Sequence, residues 1–306
     1  MSELDDAVIP LDVPVVMRRT FKSNYDVMTS GKGRLMLFAG DQKVEHLNTD
    51  FLGEGISPDD SDPEHLFRIA SRAKIGAFAT QFGLVCRYGM SYPDVPYIVK
   101  LNSKTNLVRT VQAEPLSGQW LSVDDVEALR KENDLRVVGV GYTFYIGSEH
   151  EAQMLREAAQ IVHRAHHFGL PVILWSYARG RAVPNEKDPR IIAGAAGVAA
   201  CLGADFAKVN YPEGPEAAAR LGDVVRAAGR TKVICSGGSR MKAEQFLKRL
   251  HEQINISGAS GSATGRNIHQ KSLDEAVRFS NAVYAVTVEG ASVSEAMSIY
   301  WGDLEA

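Results

Sequence analysis

Eight short apolar runs, each separated from the next by a longer stretch, limit most tightly what this chain can fold into. The runs are Leu35 to Ala39, Ala77 to Thr80, Tyr97 to Leu101, Val137 to Tyr142, Val172 to Ser176, Phe206 to Val209, Lys232 to Cys235 and Ile254 to Ser257. Runs of this length that are apolar without alternation suit strands buried on both faces, as in a parallel sheet. Most of the stretches between them carry apolar residues at three- and four-residue spacing. Helices are therefore expected over Ser122 to Lys131, Glu149 to His167, Arg190 to Leu202, Glu216 to Ala228, Glu244 to Gln253 and Leu273 to Val288. Ser122 ahead of Asp124 and Asp125 reads as an N-cap with acids in the first turn, and Pro63 before Glu64 as another helix start.

Strand and helix in strict turn imply parallel strands joined by crossovers, and eight such units close into a (β/α)8 barrel, an α/β TIM barrel. A doubly wound open sheet is the alternative. The 306 residues suit a single barrel domain over residues 31–290, with an N-terminal extension over 1–30 and a C-terminal helix within 291–306, where Val293 to Trp301 is amphipathic.

Composition narrows the function classes. A net charge of −3 and a pI near 6.3 provide no broad basic field for nucleic acid or anionic lipid. No apolar run is long enough to span a bilayer, and the acidic start MSELDDAVIPLDVP lacks the features of a signal peptide. Cys86, Cys201 and Cys235 are few, lack metal-ligand spacing and are expected to be small buried hydrophobes. A cytoplasmic protein acting on small molecules follows as the expectation.

In a barrel the chemistry lies at the C-terminal ends of the strands. Asp41, Lys100, Tyr177 and Lys208 fall there, followed by Ser236, Gly237, Gly238, Ser239 and Arg240 after the seventh run, and by Gly265, Arg266 and Asn267 later. Lys208 lies within an apolar strand. Burial there would lower its pKa and leave an amine able to attack a carbonyl, while a bland reading has it snorkelling to solvent or paired with Asp205. The loops SGGS and GSATGRN offer amides and an arginine suited to a phosphate, although glycine also serves such turns for steric reasons alone. Tyr177 could exchange a proton with substrate or merely pack over the mouth. Asp41 could orient a hydroxyl or take a proton, or form a salt bridge with Lys43 or Lys100.

Other groupings carry less. His163, His166 and His167 read as a solvated helix face, and Asp41, Glu45 and His46 lack a second histidine at ligand spacing, so no metal is expected. GVGYTFYIGS lacks the third glycine of a dinucleotide fingerprint.

From about Gly33 to Val288 the motifs AGDQKVEH, VGVGYTFYIGSE, LWSYARG, LGADFAKVNYP, CSGGS and ATGRNIHQ occur in order. In these the chain resembles the archaeal-type class I fructose-bisphosphate aldolases, the DeoC/FbaB-like aldolases. The resemblance implies a barrel enzyme that needs neither metal nor cofactor, acts on a phosphorylated sugar, and assembles as a homo-oligomer, often a decamer of two pentamer rings. It implies a Schiff base on Lys208, proton transfer by Tyr177 with Trp175 beside it, and a carboxylate at Asp41. Phosphate contacts would fall on Ser236, Gly237, Gly238, Gly265 and Arg266, with Arg240 keeping the positive charge where a lysine is common. The leading reaction is reversible cleavage of fructose 1,6-bisphosphate to dihydroxyacetone phosphate and glyceraldehyde 3-phosphate, in glycolysis and gluconeogenesis. Asp41-Gln42-Lys43 departs from the usual Asp-His-Gly, which leaves open a related lysine enzyme on another phosphorylated sugar, of the aminodideoxyheptulosonate synthase or signal-sugar thiolase type. A non-catalytic sugar-phosphate-binding barrel is the alternative from another class.

Overall fold

The computed structural model describes residues 9–46, 48–107 and 114–304. Eight parallel strands form a closed barrel in sequence order: β1 (Leu35–Ala39), β2 (Ala77–Gln81), β3 (Tyr97–Lys100), β4 (Val137–Ile146), β5 (Val172–Ala178), β6 (Phe206–Val209), β7 (Lys232–Ser236) and β8 (Gly261–Thr264). β8 pairs with β1 through Leu35 and Gly261, which closes the ring and rules out the open sheet. Helix α1 (Arg18–Thr29) precedes the barrel. The crossover helices are α2 (Glu64–Arg72), α3 (Phe82–Tyr88), α4 (Val123–Asn133), α5 (Glu151–His167), α6 (Pro189–Cys201), α7 (Ala217–Ala228), α8 (Ala243–Asn255) and α9 (Leu273–Tyr284), followed by α10 (Val293–Trp301). No helix among the described residues is long and apolar enough to cross a membrane.

The eighth strand is not where the apolar run predicts it. Ile254 is the last buried residue on the core face of α8, after Phe246, Leu247 and Leu250. The true strand, Gly-Ser-Ala-Thr, is built of small residues, with Gly261 too close to the Leu35 backbone to carry a Cβ, so hydrophobicity does not reveal it. Helix starts are better encoded: Ser122 and Asp125 form a reciprocal capping box at α4.

Residues at alternate strand positions fill the barrel. Leu37, Ala79, Ile98, Val138, Ile173, Phe206, Ile234 and Ala263 form one inner cluster. Tyr25 and Met28 of α1 join it from below, Tyr25 stacking on Phe206 with ring centroids 5.6 Å apart, so α1 plugs the floor. His166 overturns the reading of a solvated histidine face. It is fully buried at the end of α5, with Nδ1 2.9 Å from Asp12 and Nε2 3.1 Å from Asp205. Burial opposes its charge, but the hydrogen bonds and charges of Asp205 and Asp12 prevail and raise its pKa. The cysteines also depart from expectation, since only Cys235 is buried while Cys86 and Cys201 are exposed.

Candidate active site

At the opposite end, where the strands terminate, the barrel opens into a cavity of about 270 Å³. Asp41, Trp175, Tyr177, Lys208, Ser236, Gly237, Gly238, Gly265 and Arg266 all line it, so nine sequence-predicted residues from five strand ends converge on one space. Lys208 projects inward from β6, in register with Trp175 on β5 and Ile234 on β7, and is 4 % exposed. Its ammonium nitrogen lies 4.8 Å from the centre of the Trp175 ring. Asp205 is not its partner, for that carboxylate accepts from the Val172 amide at 2.7 Å and faces His166 at the floor. Among the described residues no carboxylate lies within ion-pair distance of Lys208. Burial lowers its pKa; Asp41 and Glu45 pull upward and Lys100 and Arg266 downward, with the net shift down. A buried amine with depressed pKa is the state a nucleophilic lysine requires.

Asp41 follows β1 and is held by its backbone carbonyl, which accepts from the Gln81 side chain at 2.9 Å. Its carboxylate is buried, yet neither oxygen has a hydrogen-bond partner among the described residues. Lys100 stands 3.7 Å from it. Lys43, the other expected partner, points away and donates to the carbonyls of Asp60 and Ser61 at 3.0 Å each. A buried carboxylate without hydrogen-bond donors is costly to keep, and the Lys100 ion pair leaves the acceptor capacity of both oxygens unused.

Tyr177 sits two residues beyond Trp175 on the same face of β5. Burial first, then the nearby charges of Asp41 and Glu45, push its pKa well above the ordinary phenol value, so its proton stays on and can be donated. The Trp175 indole nitrogen is buried without an acceptor among the described residues and adds a second unused donor.

The two glycine loops meet beside this group. The Gly237 amide is spent on the Ala263 carbonyl at 2.9 Å, whereas the amides of Gly238 and Ser239 meet no acceptor among the described residues. Arg249 holds the loop from beneath by donating to the Gly237 carbonyl at 2.7 Å, and Asn267 donates to the Ser239 carbonyl at 3.1 Å. Gly265 has no room for a side chain: a Cβ there would strike Ala39 and Gln42. Arg266 lies 3.7 Å from Asp50 at the rim. The arrangement can hold an anion such as a phosphate through amide donors and one guanidinium.

Of the residues predicted to face the pocket, Lys100 and Asn267 are buried behind its lining, and the third that does not line it is Arg240. It is exposed, its guanidinium donates to the Gly55 carbonyl, and it does not line the cavity. Its charge is turned to the loop that follows β1.

Sequence reasoning puts Ser239 at the mouth without a role and reads Glu45 only as a poor metal ligand, and it missed Tyr145 and Arg179; all four line the cavity. Tyr145 was legible in principle. β4 runs to Ile146, beyond the predicted end at Tyr142, and alternation from Gly141 puts Thr143 and Tyr145 on its inner face. Arg179 follows the same rule from Tyr177 and is tied to Glu186 at 3.0 Å. No group of three or more His, Cys, Asp or Glu side chains able to hold a metal ion occurs among the described residues.

A larger groove, about 710 Å³, lies by the N-terminal ends of β2, β3 and β4. Lys74 there is paired with Glu289 at 3.1 Å, and Arg136 donates to the Asp94 backbone carbonyl at 3.1 Å. It lacks the convergent unpartnered groups of the mouth.

The sequence profile of the DeoC/LacD family aldolases matches residues 35–271. A relative from Methanocaldococcus jannaschii, named fructose-bisphosphate aldolase/6-deoxy-5-ketofructose 1-phosphate synthase, is 57% identical over 298 residues, covering 97% of this chain and 96% of that protein. The class 1 fructose-bisphosphate aldolase of Thermoproteus tenax is 36% identical, covering 88% of this chain and 95% of that protein. Among solved structures, a fructose-bisphosphate aldolase from Slackia heliotrinireducens superposes with a TM-score of 0.96 at 54% identity over 99% of this chain and 97% of its own. An archaeal fructose-1,6-bisphosphate aldolase whose catalytic lysine is covalently bound to the carbinolamine intermediate of the substrate superposes with a TM-score of 0.75 at 34% identity, covering 88% of this chain and 99% of its own.

Proposed function

This chain belongs to the DeoC/LacD family of aldolases, and from that membership and the geometry of its barrel mouth we propose that it cleaves and forms fructose 1,6-bisphosphate through a Schiff base on Lys208. The observation that carries the reading is a buried lysine, without an ion-pair partner among the described residues, beside a buried carboxylate and a phenol that keeps its proton.

Neutral Lys208 attacks the C2 carbonyl of the open-chain sugar, and the carbinolamine loses water to give an iminium. Asp41 accepts the proton of the C4 hydroxyl. The C3–C4 bond breaks, its electron pair enters the iminium as an enamine, and glyceraldehyde 3-phosphate departs. Tyr177 exchanges the proton that C3 then takes up, and water returns to release dihydroxyacetone phosphate and the free amine. The iminium supplies the electron sink, so the proposed mechanism uses neither metal nor cofactor. Ser236, Gly238, Ser239, Gly265 and Arg266 hold phosphate, and Gly237 shapes the loop.

A second product reading rests on the far side of the cavity. Arg179 and Lys187 there are already paired with Glu186 and Glu213, which suits an acceptor without phosphate. Disconnecting 6-deoxy-5-ketofructose 1-phosphate between C3 and C4 gives the same dihydroxyacetone phosphate and 2-oxopropanal. One enzyme could therefore run both condensations from one enamine.

The working form we propose is a cytoplasmic homo-oligomer acting in glycolysis and gluconeogenesis, with the two-ring decamer implied by the resemblance as the leading assembly. Exposed Leu11, Val15, Val16 and Trp301 support self-association, which sedimentation velocity checks.

The direct test is intact-mass spectrometry after incubation with dihydroxyacetone phosphate and borohydride, followed by peptide mapping. A reduced adduct on Lys208 is expected. Folded protein with saturating ligand and no adduct overturns the Schiff-base reading. Offering glyceraldehyde 3-phosphate and 2-oxopropanal in turn separates the two condensations.

A further inference from the structure

A second lysine lies just behind the cavity wall, against the lining residues Trp175 and Asp41, and the reaction as written does not use it. Lys100 projects inward from β3, is 1 % exposed, and has its ammonium 4.5 Å from the centre of the Trp175 ring that Lys208 also approaches. It reaches that position through a gap. Between β3 and β5 the inward residue of β4 is Gly141, where a Cβ would come within 2.5 Å of the Trp175 ring and 3.0 Å of the Lys100 side chain. Once there, the ammonium donates to the Thr143 hydroxyl at 2.6 Å and stands 3.7 Å from Asp41 and 3.6 Å from Glu45. Glu45 is itself oriented by the Ser103 hydroxyl at 2.9 Å.

The charge pattern gives this placement a purpose. Two carboxylates face a nucleophile that must be uncharged to act. Left to themselves they would favour a protonated Lys208 and draw it into an ion pair, which removes the lone pair that attacks the carbonyl. A fixed cation between them supplies the charge they require from another source. Asp41 is then free to stay an acceptor for a substrate hydroxyl, and Lys208 is free to stay an amine.

We propose that Lys100 is a positioning residue for the reaction: a permanently placed cation that engages Asp41 and Glu45 so that Lys208 is not captured by them. This rests on Lys208 being the Schiff-base lysine. The other titrating or charged groups around the cluster are His46 after β1, Lys104 after β3, Tyr145 on β4, Tyr177 and Arg179 on and just after β5, Lys208 on β6 and Arg266 after β8.

The test is the pH dependence of the rate at which the borohydride-trapped adduct with dihydroxyacetone phosphate forms. It is run on the full-length parent and on Lys100→Met, Lys100→Arg, Glu45→Gln and the double variant K100M/E45Q. The midpoint of the acid limb reports the proton on Lys208. In K100M it is expected to rise by about one unit, a tenfold loss of amine at a given lower pH. K100R, which keeps the cation, holds the parent midpoint even if the rate falls. E45Q moves the midpoint down, and the double variant returns it toward the parent because the two removals offset. Lys100→Gln keeps a donor for Thr143 and replaces K100M should that variant fail to fold. Equal midpoints in the parent and the neutral variants, with only the maximal rate reduced, would overturn the proposal and make Lys100 a packing residue. No adduct in the parent overturns instead the assignment of Lys208.

Discussion

At the floor of the barrel, His166 has a carboxylate on each ring nitrogen, the Thr29 hydroxyl donates to the Tyr25 carbonyl at 2.8 Å, and the Asn24 amide donates to the Gly169 carbonyl at 2.7 Å. At the mouth, both oxygens of Asp41, the indole nitrogen of Trp175 and the carboxamide oxygen of Gln42 are buried with no hydrogen-bond partner among the described residues. Both ends have polar groups withdrawn from water; those named at the floor are met internally, and these four atoms at the mouth are not. Unmet hydrogen bonds cost stability of roughly 1–3 kcal/mol each, and a ligand that completes them recovers that energy on binding. The floor therefore holds the molecule together, and the mouth is built for something that arrives from outside.

The contrast is broken most severely by removing the nucleophile. Lys208→Met should abolish the trapped adduct and lower cleavage of fructose 1,6-bisphosphate by more than about 10⁴-fold, read by mass spectrometry and a coupled assay. Its melting temperature should not fall, since the change relieves burial of an ionisable amine. A clear loss of stability would mean that the mouth also serves the fold.

Tyr177→Phe keeps the ring and removes the proton. Turnover should drop about 10²- to 10⁴-fold with the Lys208 adduct still formed, a split between chemistry and imine formation that single-turnover mass spectrometry resolves. An unchanged turnover would return Tyr177 to a packing role.

At the floor, Phe206→Ala removes the ring on which Tyr25 stacks and should cost about 3–5 kcal/mol in denaturant unfolding, while the surviving folded fraction still forms adduct. Loss of adduct from folded protein would show that the two ends are coupled.

The buried histidine gives the floor its own pH signature. Because the folded pKa of His166 is raised above 6.5, its contribution is fully present below about pH 6.5 and is lost as pH rises through the folded value. Melting temperature followed from pH 6 to 9 should show this decline in the parent and not in His166→Gln. Parallel curves would assign the slope to other groups.

The smallest effect is expected outside the cavity. Arg240→Ala should leave KM within about twofold and change stability by less than about 1 kcal/mol, because its guanidinium is exposed and bound to a loop carbonyl. A tenfold rise in KM would bring it back into the phosphate site.

How much of this was legible in advance differs by type of residue. Lys208 and Asp41 stood out because an ionisable group next to an apolar strand is anomalous wherever it occurs. Lys100 is equally buried, but its role depends on Gly141 leaving a gap one strand away and on Glu45 reaching back from the loop after β1. His166 was misread because Asp12 and Asp205, 154 and 39 residues distant in sequence, meet it only in the folded state. The eighth strand was displaced because Ile254 carries apolar character on a helix, while Gly261–Thr264 carries almost none on a strand.

Short-range pattern in the chain is enough to specify the alternation of strands and helices, and with it a parallel barrel whose strand ends present Asp41, Trp175, Tyr177 and Lys208 to one side. Local periodicity and strand direction are enough for that, since each is written within a few residues of chain. Which polar groups found partners depends on how the folded chain packs across the barrel. That packing gave Asp205 to His166, left Lys208 without a carboxylate at ion-pair distance among the described residues, sent Arg240 to Gly55, and inserted Lys100 between two carboxylates. Those assignments depend on distances across the barrel between residues remote in sequence, and hydrogen bonds and charges act over a few ångströms of space regardless of separation along the chain.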